Sequence, residues 1–274
     1  MNDRLRKVLM ICLGTIFVCS SGMFLHQTIE SKKGAAIYSE AEKLANTSDD
    51  VKDESSLEID ETFLDDEMDS KEWKEEEIEN DKYLDAMERT NLRLLRDVNE
   101  DVLGWIKIPG TQLSYPIVQS DNNDYYLRHT WDNQESIVGS VFIEYLNESD
   151  FSDFNTIVYA HHMMDGTMFG SLRNYKDLEH WKKHPYVYTF DDRGSHRYEI
   201  FSVYEADIAS NTYRVGFEGE SDKQEFLDEC MGQSVIQTNV FPTVNDRILT
   251  LSTCTNTGGY STRWVVQARL KGAE

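Results

Sequence analysis

Short apolar runs alternate with turn residues along the chain from Val102 onward. Turn signals such as Pro109-Gly110 separate the runs. Runs this short favour strands, because helices usually need about ten or more residues. Eight such runs lie at residues 102–108, 113–118, 139–143, 156–159, 186–190, 198–206, 248–253 and 264–270. We therefore predict a mainly β (α+β) fold whose strands close, or nearly close, into a barrel.

Helical spacing of apolar residues interrupts this pattern in three places. Residues 73–98 predict one or two amphipathic helices at the start of the folded domain. Residues 168–181 predict a helix between strands. Residues 221–231 predict another, with Ser221 as its N-cap, ahead of the run that ends at Cys254.

The N-terminus predicts a membrane anchor. Three basic residues precede a run from Val8 to Leu25 that carries no charge. This length is near the lower limit of about 17 residues for a transmembrane helix. A cleavable signal peptide is the alternative, but the run lacks a good small-residue cleavage site. Because basic flanks stay in the cytoplasm, residues 1–26 are predicted to be a cytoplasmic tip and single-pass anchor, with the folded domain outside the cell.

Residues 27–80 are predicted to be an acidic stalk. Asp, Glu, Ser, Lys and Asn dominate this stretch, which cannot bury enough apolar surface to fold and is expected to be mostly extended. A cation-binding or partner-binding tail is the alternative, although no EF-hand pattern is present. Residues 81–274 remain for the folded domain. The net charge of -23 argues against nucleic-acid binding, which needs clustered Lys and Arg.

The 4 cysteines form no CxxC pair, so neither a disulfide framework nor a zinc site is predicted. Cys12 and Cys19 lie in the apolar N-terminal run. Cys230 lies in an acidic helical stretch and is interpreted as a small buried apolar residue. Cys254 differs from these because it closes a predicted strand.

Three reactive side chains stand at the ends of predicted strands. Cys254 closes one run, Arg263 opens the next, and His161 ends the run that begins at Thr156. Adjacent strands joined by a short loop would hold the thiol and the guanidinium at one end of a sheet. The set suggests a thiol nucleophile, a proton-transfer partner and a cationic stabiliser.

Each of these side chains has an alternative interpretation. Cys254 could be a buried strand residue. His162 competes with His161, and only one of them can face the cysteine, because adjacent strand residues point to opposite faces. For the same reason the two histidines are a poor metal pair. Arg269 shares a strand face with Arg263, so periodicity does not separate them.

In chain order, these segments resemble the class B sortases. The Thr-Leu-Ser-Thr-Cys run ending at Cys254, with Arg263 nine residues later, resembles the family's nucleophile and arginine signature. Tyr-Ala-His-His-Met around His161, followed by Asp-Gly-Thr-Met-Phe, is similar to its histidine motif. Ala160 departs from the glycine common at that position. Further matches lie at residues 104–111, 115–119, 121–127 and 222–231, within a resemblance that covers residues 83–270.

The resemblance implies a sortase-like eight-stranded β-barrel and a membrane-anchored cysteine transpeptidase of a Gram-positive cell surface. The Cys254 thiolate would attack the Thr carbonyl of a C-terminal sorting motif on an exported protein, and an amine of a peptidoglycan precursor would resolve the thioacyl enzyme. His161 would transfer protons and Arg263 would stabilise the oxyanion. Class B implies an Asn-Pro-x-Thr-x-like motif, often on haem-uptake proteins, or another Pro-x-Thr motif. No metal or organic cofactor is implied.

Three further residues are predicted to line the substrate groove. Ser252 and Tyr159 lie two positions before Cys254 and His161, hence on the same strand faces. Asn122 is the third, although an Asp-Asn pair is also typical of a turn. The alternatives are a hydrolytic cysteine protease, a pilin-joining transpeptidase, and a non-enzymatic surface binding module with an inert cysteine.

Overall fold

The computed structural model describes residues 3–47, 81–254 and 261–270. Within these residues, eight strands form a closed barrel in the order β1-β2-β3-β4-β7-β8-β6-β5. They are β1 Val102–Lys107, β2 Ser114–Val118, β3 Val141–Ile143, β4 Asn155–His161, β5 Tyr186–Asp191, β6 Gly194–Asp207, β7 Arg247–Cys254 and β8 Thr262–Leu270. The predicted mainly β barrel is confirmed.

Helices of very different length accompany the strands, and α5 precedes the cysteine strand as predicted. The α-helices are α1 Asp3–Ala45, α2 Lys82–Met87, α3 Leu92–Arg96, α4 Leu178–Lys183 and α5 Glu220–Gln233. Within the described residues, 3-10 helices lie at Tyr125–Leu127, Gly170–Lys176 and Asn211–Tyr213.

Two helix boundaries differ from the sequence prediction. The N-cap of α5 is Gly219, so Ser221 lies inside the helix. The single helix predicted over residues 168–181 is divided at Asp177, because the Asp177 carboxylate accepts a hydrogen bond from Glu179 N and starts α4 there.

The parallel pair β4–β7 is the part of the barrel that positions the candidate site. Its register runs from Asn155 opposite Ile248 to His161 opposite Cys254. Because parallel strands end at the same edge of a sheet, both C-terminal residues reach one end of the barrel. The antiparallel strand β8 begins at that same end and pairs with β7.

A buried polar network supports this pair on the face that the Asn211–Tyr213 3-10 helix covers. The Asn155 side chain accepts a hydrogen bond from Thr250 Oγ1 at 2.6 Å and donates to the carbonyls of Thr212 and Arg214 at 3.2 and 2.9 Å. Buried polar groups need such partners, because leaving one unsatisfied costs about 1–3 kcal/mol. The network therefore fixes the 3-10 helix that carries Tyr213 onto the barrel.

The N-terminal helix differs from the stalk prediction over residues 31–45. These residues are helical, and Tyr38, Ala41 and Ala45 are buried. Their spacing places them on one face of the helix. The many charged residues around them make the segment polar in composition, and this composition conceals the apolar face. The helix packs closely, since a Cβ added at Gly34 would lie 2.7 Å from a methyl group of Val138.

The predicted stalk is otherwise outside the described residues from position 48 to 80. None of the helices in the described part of the chain is both long and apolar enough to cross a membrane.

The Gly34 contact gives a test of helix packing. Gly34→Leu should destabilise the folded protein by about 1–3 kcal/mol, because the added side chain overpacks against Val138. Gly232→Leu is the matched control, because a Cβ at that position would meet no atom within 4 Å apart from its chain neighbours and its own helix backbone. Denaturant unfolding measures both. Equal stability of the two variants would contradict the packing of α1 on the barrel.

Candidate active site

His161 and Cys254 lie opposite each other at the ends of the two parallel strands. Their Cα atoms are register partners in the β4–β7 pair. His161 is buried, with 5% of its surface exposed. The side chain of Cys254 lies outside the described residues, so the strand register carries this juxtaposition.

Arg263 reaches the same end of the barrel from β8. The β7–β8 register is antiparallel up to Ser252 opposite Val265, and continuing it by two residues sets Arg263 opposite Cys254. The Thr253 hydroxyl joins the two strands there, because Trp264 N donates to its oxygen at 3.1 Å. The three residues predicted to be catalytic are therefore brought together, and their roles remain predictions.

The backbone sets the orientation of the His161 ring. His161 Nε2 lies 2.7 Å from the carbonyl oxygen of Leu127. A carbonyl can only accept a hydrogen bond, so Nε2 carries the proton and Nδ1 is the proton-accepting nitrogen of the neutral ring. This assignment leaves Nδ1 as the ring nitrogen with an available lone pair, the one that the predicted proton transfer requires.

Gly139 supports the other side of the same ring. A Cβ at Gly139 would lie 3.0 Å from His161 Cδ2, 2.7 Å from Tyr126 O and 2.9 Å from Leu127 O. Gly139 also has φ +60°, a conformation that L side chains rarely adopt. Glycine is thus required here both by its backbone conformation and by close approach to the histidine.

His162 has a different environment from His161. It is half-buried and forms a β-bridge with Met168. Burial, and then repulsion by Arg173, lower the pKa of His162 below its ordinary value. The two histidines therefore differ in setting, and the register places His161 opposite the cysteine.

Arg269, the alternative arginine, is held in ion pairs. It lies near the far end of β8, where its guanidinium is 2.8 Å from Glu199 Oε2 and 3.6 Å from Asp246 Oδ2. It also donates to Phe241 O at 2.6 Å. These contacts give Arg269 a structural role and separate it from Arg263, which periodicity could not do.

Tyr159 and Ser252, two of the predicted groove residues, come together. They are register partners in β4–β7. Tyr213 joins them, because its hydroxyl lies 3.0 Å from Ser252 Oγ and its ring stacks on that of Tyr159 with centroids 6.2 Å apart. Glu144 completes the cluster by accepting a hydrogen bond from the Tyr159 hydroxyl at 3.0 Å. We call these four residues the tyrosine cluster.

Sequence reasoning missed Tyr213 and Glu144 in this cluster. Tyr213 lies in a segment with no sequence motif. Hydrogen bonds between the neighbouring Thr212 and the side chains of Asn155 and Tyr204 bring it to the barrel. Glu144 ends a short apolar run and has no periodic signal. An aromatic residue beside a loop-forming Asn-Thr pair was the only hint of Tyr213.

Asn122, the third predicted groove residue, has a turn role instead. It is exposed, and its side-chain oxygen accepts hydrogen bonds from Asp124 N at 2.8 Å and Tyr125 N at 2.9 Å. This is the turn chemistry that an Asp-Asn pair also predicted. Asn122 therefore shapes the segment whose last carbonyl, at Leu127, holds His161, and it does not join the tyrosine cluster.

Cys230 is a buried residue, in agreement with its interpretation from sequence. It is buried, and the Tyr204 hydroxyl lies 3.4 Å from its sulfur. Burial raises the pKa of the Cys230 thiol to about 11, which keeps it protonated at neutral pH.

Known proteins resemble this chain in both sequence and fold. A family model described as the sortase domain matches residues 106–271. Sortase B of Listeria monocytogenes is 39% identical over 183 residues, covering 66% of this chain and 74% of the relative. Sortase B of Staphylococcus aureus is 38% identical over 179 residues, covering 65% and 73%.

Solved structures agree with these relatives. A Staphylococcus aureus sortase B–substrate complex superposes with a TM-score of 0.63 at 37% identity, covering 66% of this chain and 85% of the other. A sortase B from Bacillus anthracis gives a TM-score of 0.67 at 28% identity, covering 89% and 98%. The sortase-domain match spans more than half of the chain. On this evidence the chain belongs to the sortase family of cysteine transpeptidases, and within that family to class B.

Proposed function

We propose that the protein is a membrane-anchored transpeptidase that cleaves a C-terminal sorting motif of exported proteins and joins them to an amine of a peptidoglycan precursor. The observation that carries this proposal is the meeting of three strand ends, with His161 opposite Cys254 and Arg263 entering beside them. A nucleophile, a proton carrier and a cation at one point are the parts that acyl transfer needs.

In the first half-reaction, the Cys254 thiol gives its proton to His161 Nδ1, and the resulting thiolate attacks the carbonyl carbon of the motif's threonine. The carbonyl electrons move to oxygen, and the Arg263 guanidinium donates hydrogen bonds to that oxyanion. As the oxyanion collapses, the peptide C–N bond breaks and His161 gives its Nδ1 proton to the leaving amine. A thioester between Cys254 and the threonine remains.

In the second half-reaction, an incoming amine attacks the thioester carbonyl. His161 Nδ1 now accepts the proton that the amine loses, and the thiolate leaves as a new amide bond forms. The Leu127 carbonyl holds the proton on Nε2 throughout. Nδ1 can therefore give a proton in the first half-reaction and accept one in the second. Among the similar solved structures is a sortase B complexed with triglycine, which supports a peptide amine as the acceptor.

The tyrosine cluster is our candidate wall of the substrate groove. It lies two residues back along the strands that end in His161 and Cys254, so a peptide bound at the cysteine would pass over it. Stacked tyrosines offer flat apolar faces with polar edges, which suit a proline-containing motif. We propose an Asn-Pro-x-Thr-x-like motif or a related Pro-x-Thr motif.

We also propose that residues 1–26 anchor the protein in the cell membrane, with the N-terminus cytoplasmic and the catalytic domain extracellular. The basic residues before the uncharged run from Val8 to Leu25 support this orientation. Helix α1 continues from this run into the part packed on the barrel, through Gly34 and Tyr38. An anchor of this form would hold the domain close to the membrane surface.

The central experiment is mass spectrometry of the protein with a panel of sorting peptides. Asn-Pro-x-Thr-x and Pro-x-Thr-Gly types are each tested with and without triglycine. We expect a covalent adduct on Cys254 that triglycine converts to a ligated peptide. Hydrolysed product alone, even with triglycine present, would identify a protease.

The matched control for this experiment uses the second cysteine of the domain. Cys254→Ala should abolish both adduct and cleavage, because no thiolate remains to attack. Cys230→Ala should retain both, because the Cys230 thiol is buried and protonated. Full cleavage of every peptide by Cys254→Ala would contradict the proposal.

The role of Arg263 is tested by a conservative change. Arg263→Lys should lower kcat/KM by about 10²- to 10³-fold, because lysine lacks the forked donors that stabilise an oxyanion. Arg269→Lys should leave kcat/KM nearly unchanged while lowering stability, since Arg269 binds Glu199 and Asp246. Peptide cleavage is assayed at a temperature where both variants are folded. An equal loss in the two variants would refute the assignment.

A further inference from the structure

We propose that Tyr38 of the N-terminal helix α1 is a positioning residue for His161. Helix α1 would then help to position the active-site histidine, in addition to connecting the domain to the proposed anchor. This inference rests on the proposed proton-transfer role of His161.

The first step is a direct contact from α1 to the backbone beneath the histidine. Tyr38 is buried, and its hydroxyl donates a hydrogen bond to Gly139 O at 2.5 Å. Burial raises the pKa of the Tyr38 hydroxyl above its ordinary value, so it stays protonated as a donor. The contact joins residues 101 positions apart in the chain.

The second step runs from Gly139 to the imidazole. The glycine lies so close to His161 Cδ2 and to the Leu127 carbonyl that no Cβ fits between them. The Leu127 carbonyl is the group that holds His161 Nε2. A displacement of Gly139 would therefore move both the back of the ring and its hydrogen-bond acceptor.

A second route leads from Tyr38 to the loop that follows β4. The Tyr38 ring packs edge-on against Tyr115, with centroids 5.1 Å apart. The Tyr115 hydroxyl accepts a hydrogen bond from Met168 N at 2.9 Å, and the neighbouring Phe169 N donates to His161 O at 3.0 Å. Tyr38 thus supports the imidazole ring of His161 through Gly139, and the backbone carbonyl of His161 through Tyr115 and the Met168–Phe169 segment.

Other residues of α1 contact the same two segments. Gly34 packs against Val138, one residue before Gly139. The Ser31 hydroxyl hydrogen-bonds the Asp165 carboxylate in the loop after β4. The helix therefore contacts both the Val138–Gly139 segment and the loop after β4, and Tyr38 makes the central contact.

The test compares Tyr38→Phe with Tyr175→Phe in the full chain. Tyr175 is also buried, and its hydroxyl donates to a backbone carbonyl, that of His184, at 2.7 Å. Both variants lose one hydrogen bond from a tyrosine hydroxyl to a backbone carbonyl. We expect similar thermal stability for the two. Tyr38→Phe should also lower kcat about tenfold with KM changed less than about twofold, because small displacements of a reacting group are costly.

A second readout follows the ring itself. The ¹⁵N shifts of the His161 imidazole report its tautomer, and the wild-type protein and Tyr175→Phe should both show a proton on Nε2. Tyr38→Phe should show loss of that single tautomer. Unchanged kcat and unchanged ¹⁵N shifts in Tyr38→Phe would overturn the proposal.

A third variant covers the case in which Tyr38→Phe does not fold. Ser31→Ala removes an exposed contact of the same helix, and should lower kcat about twofold to threefold with stability unchanged. Wild-type kcat in Ser31→Ala, together with an unfolded Tyr38→Phe, would leave α1 with only a structural role and overturn the proposal. Failure of the wild-type protein to turn over any peptide would instead refute the proposed function.

Discussion

The parallel pairing of β4 with β7 is the interaction on which the candidate site depends. Two parallel strands end at the same edge, so this pairing alone sets His161 opposite Cys254 although 93 residues separate them. A shift of one residue would turn one of the two side chains to the opposite face of the sheet. The register is held by apolar side chains inside the barrel and by the Asn155 network, which also carries Tyr213 to the strand ends.

Support for the histidine comes from outside the barrel as well as from the strands. The Leu127 carbonyl selects the tautomer of His161, and Gly139 packs against the ring. Helix α1 then packs on the Gly139 segment through Tyr38. Leu127 and Gly139, which contact the His161 ring, belong to segments that other residues such as Tyr38 hold in place. A proton-transfer group needs such support, because small displacements of a reacting atom are costly.

The sequence predicted the parts of this structure that depend on local pattern. The eight strands follow from short apolar runs, and Cys254 and Arg263 were placed at one sheet end because a short loop joins their strands. The approach of Tyr213 and Tyr38 could not be predicted, because each depends on contacts between segments distant in sequence. Residues 31–45 were interpreted as stalk because charged residues concealed the spacing of the buried helix face.

The most direct test of the account measures the alkylation rate of Cys254 against pH. In the proposed mechanism His161 Nδ1 accepts the thiol proton and the charged ring then stabilises the thiolate, so His161→Gln should move the midpoint of the alkylation curve to higher pH. His162→Gln should leave the midpoint unchanged, since His162 lies beyond the β4–β7 register and bridges to Met168. Identical curves for the wild type and His161→Gln, or a shift only in His162→Gln, would contradict the assignment of His161 as the partner of Cys254.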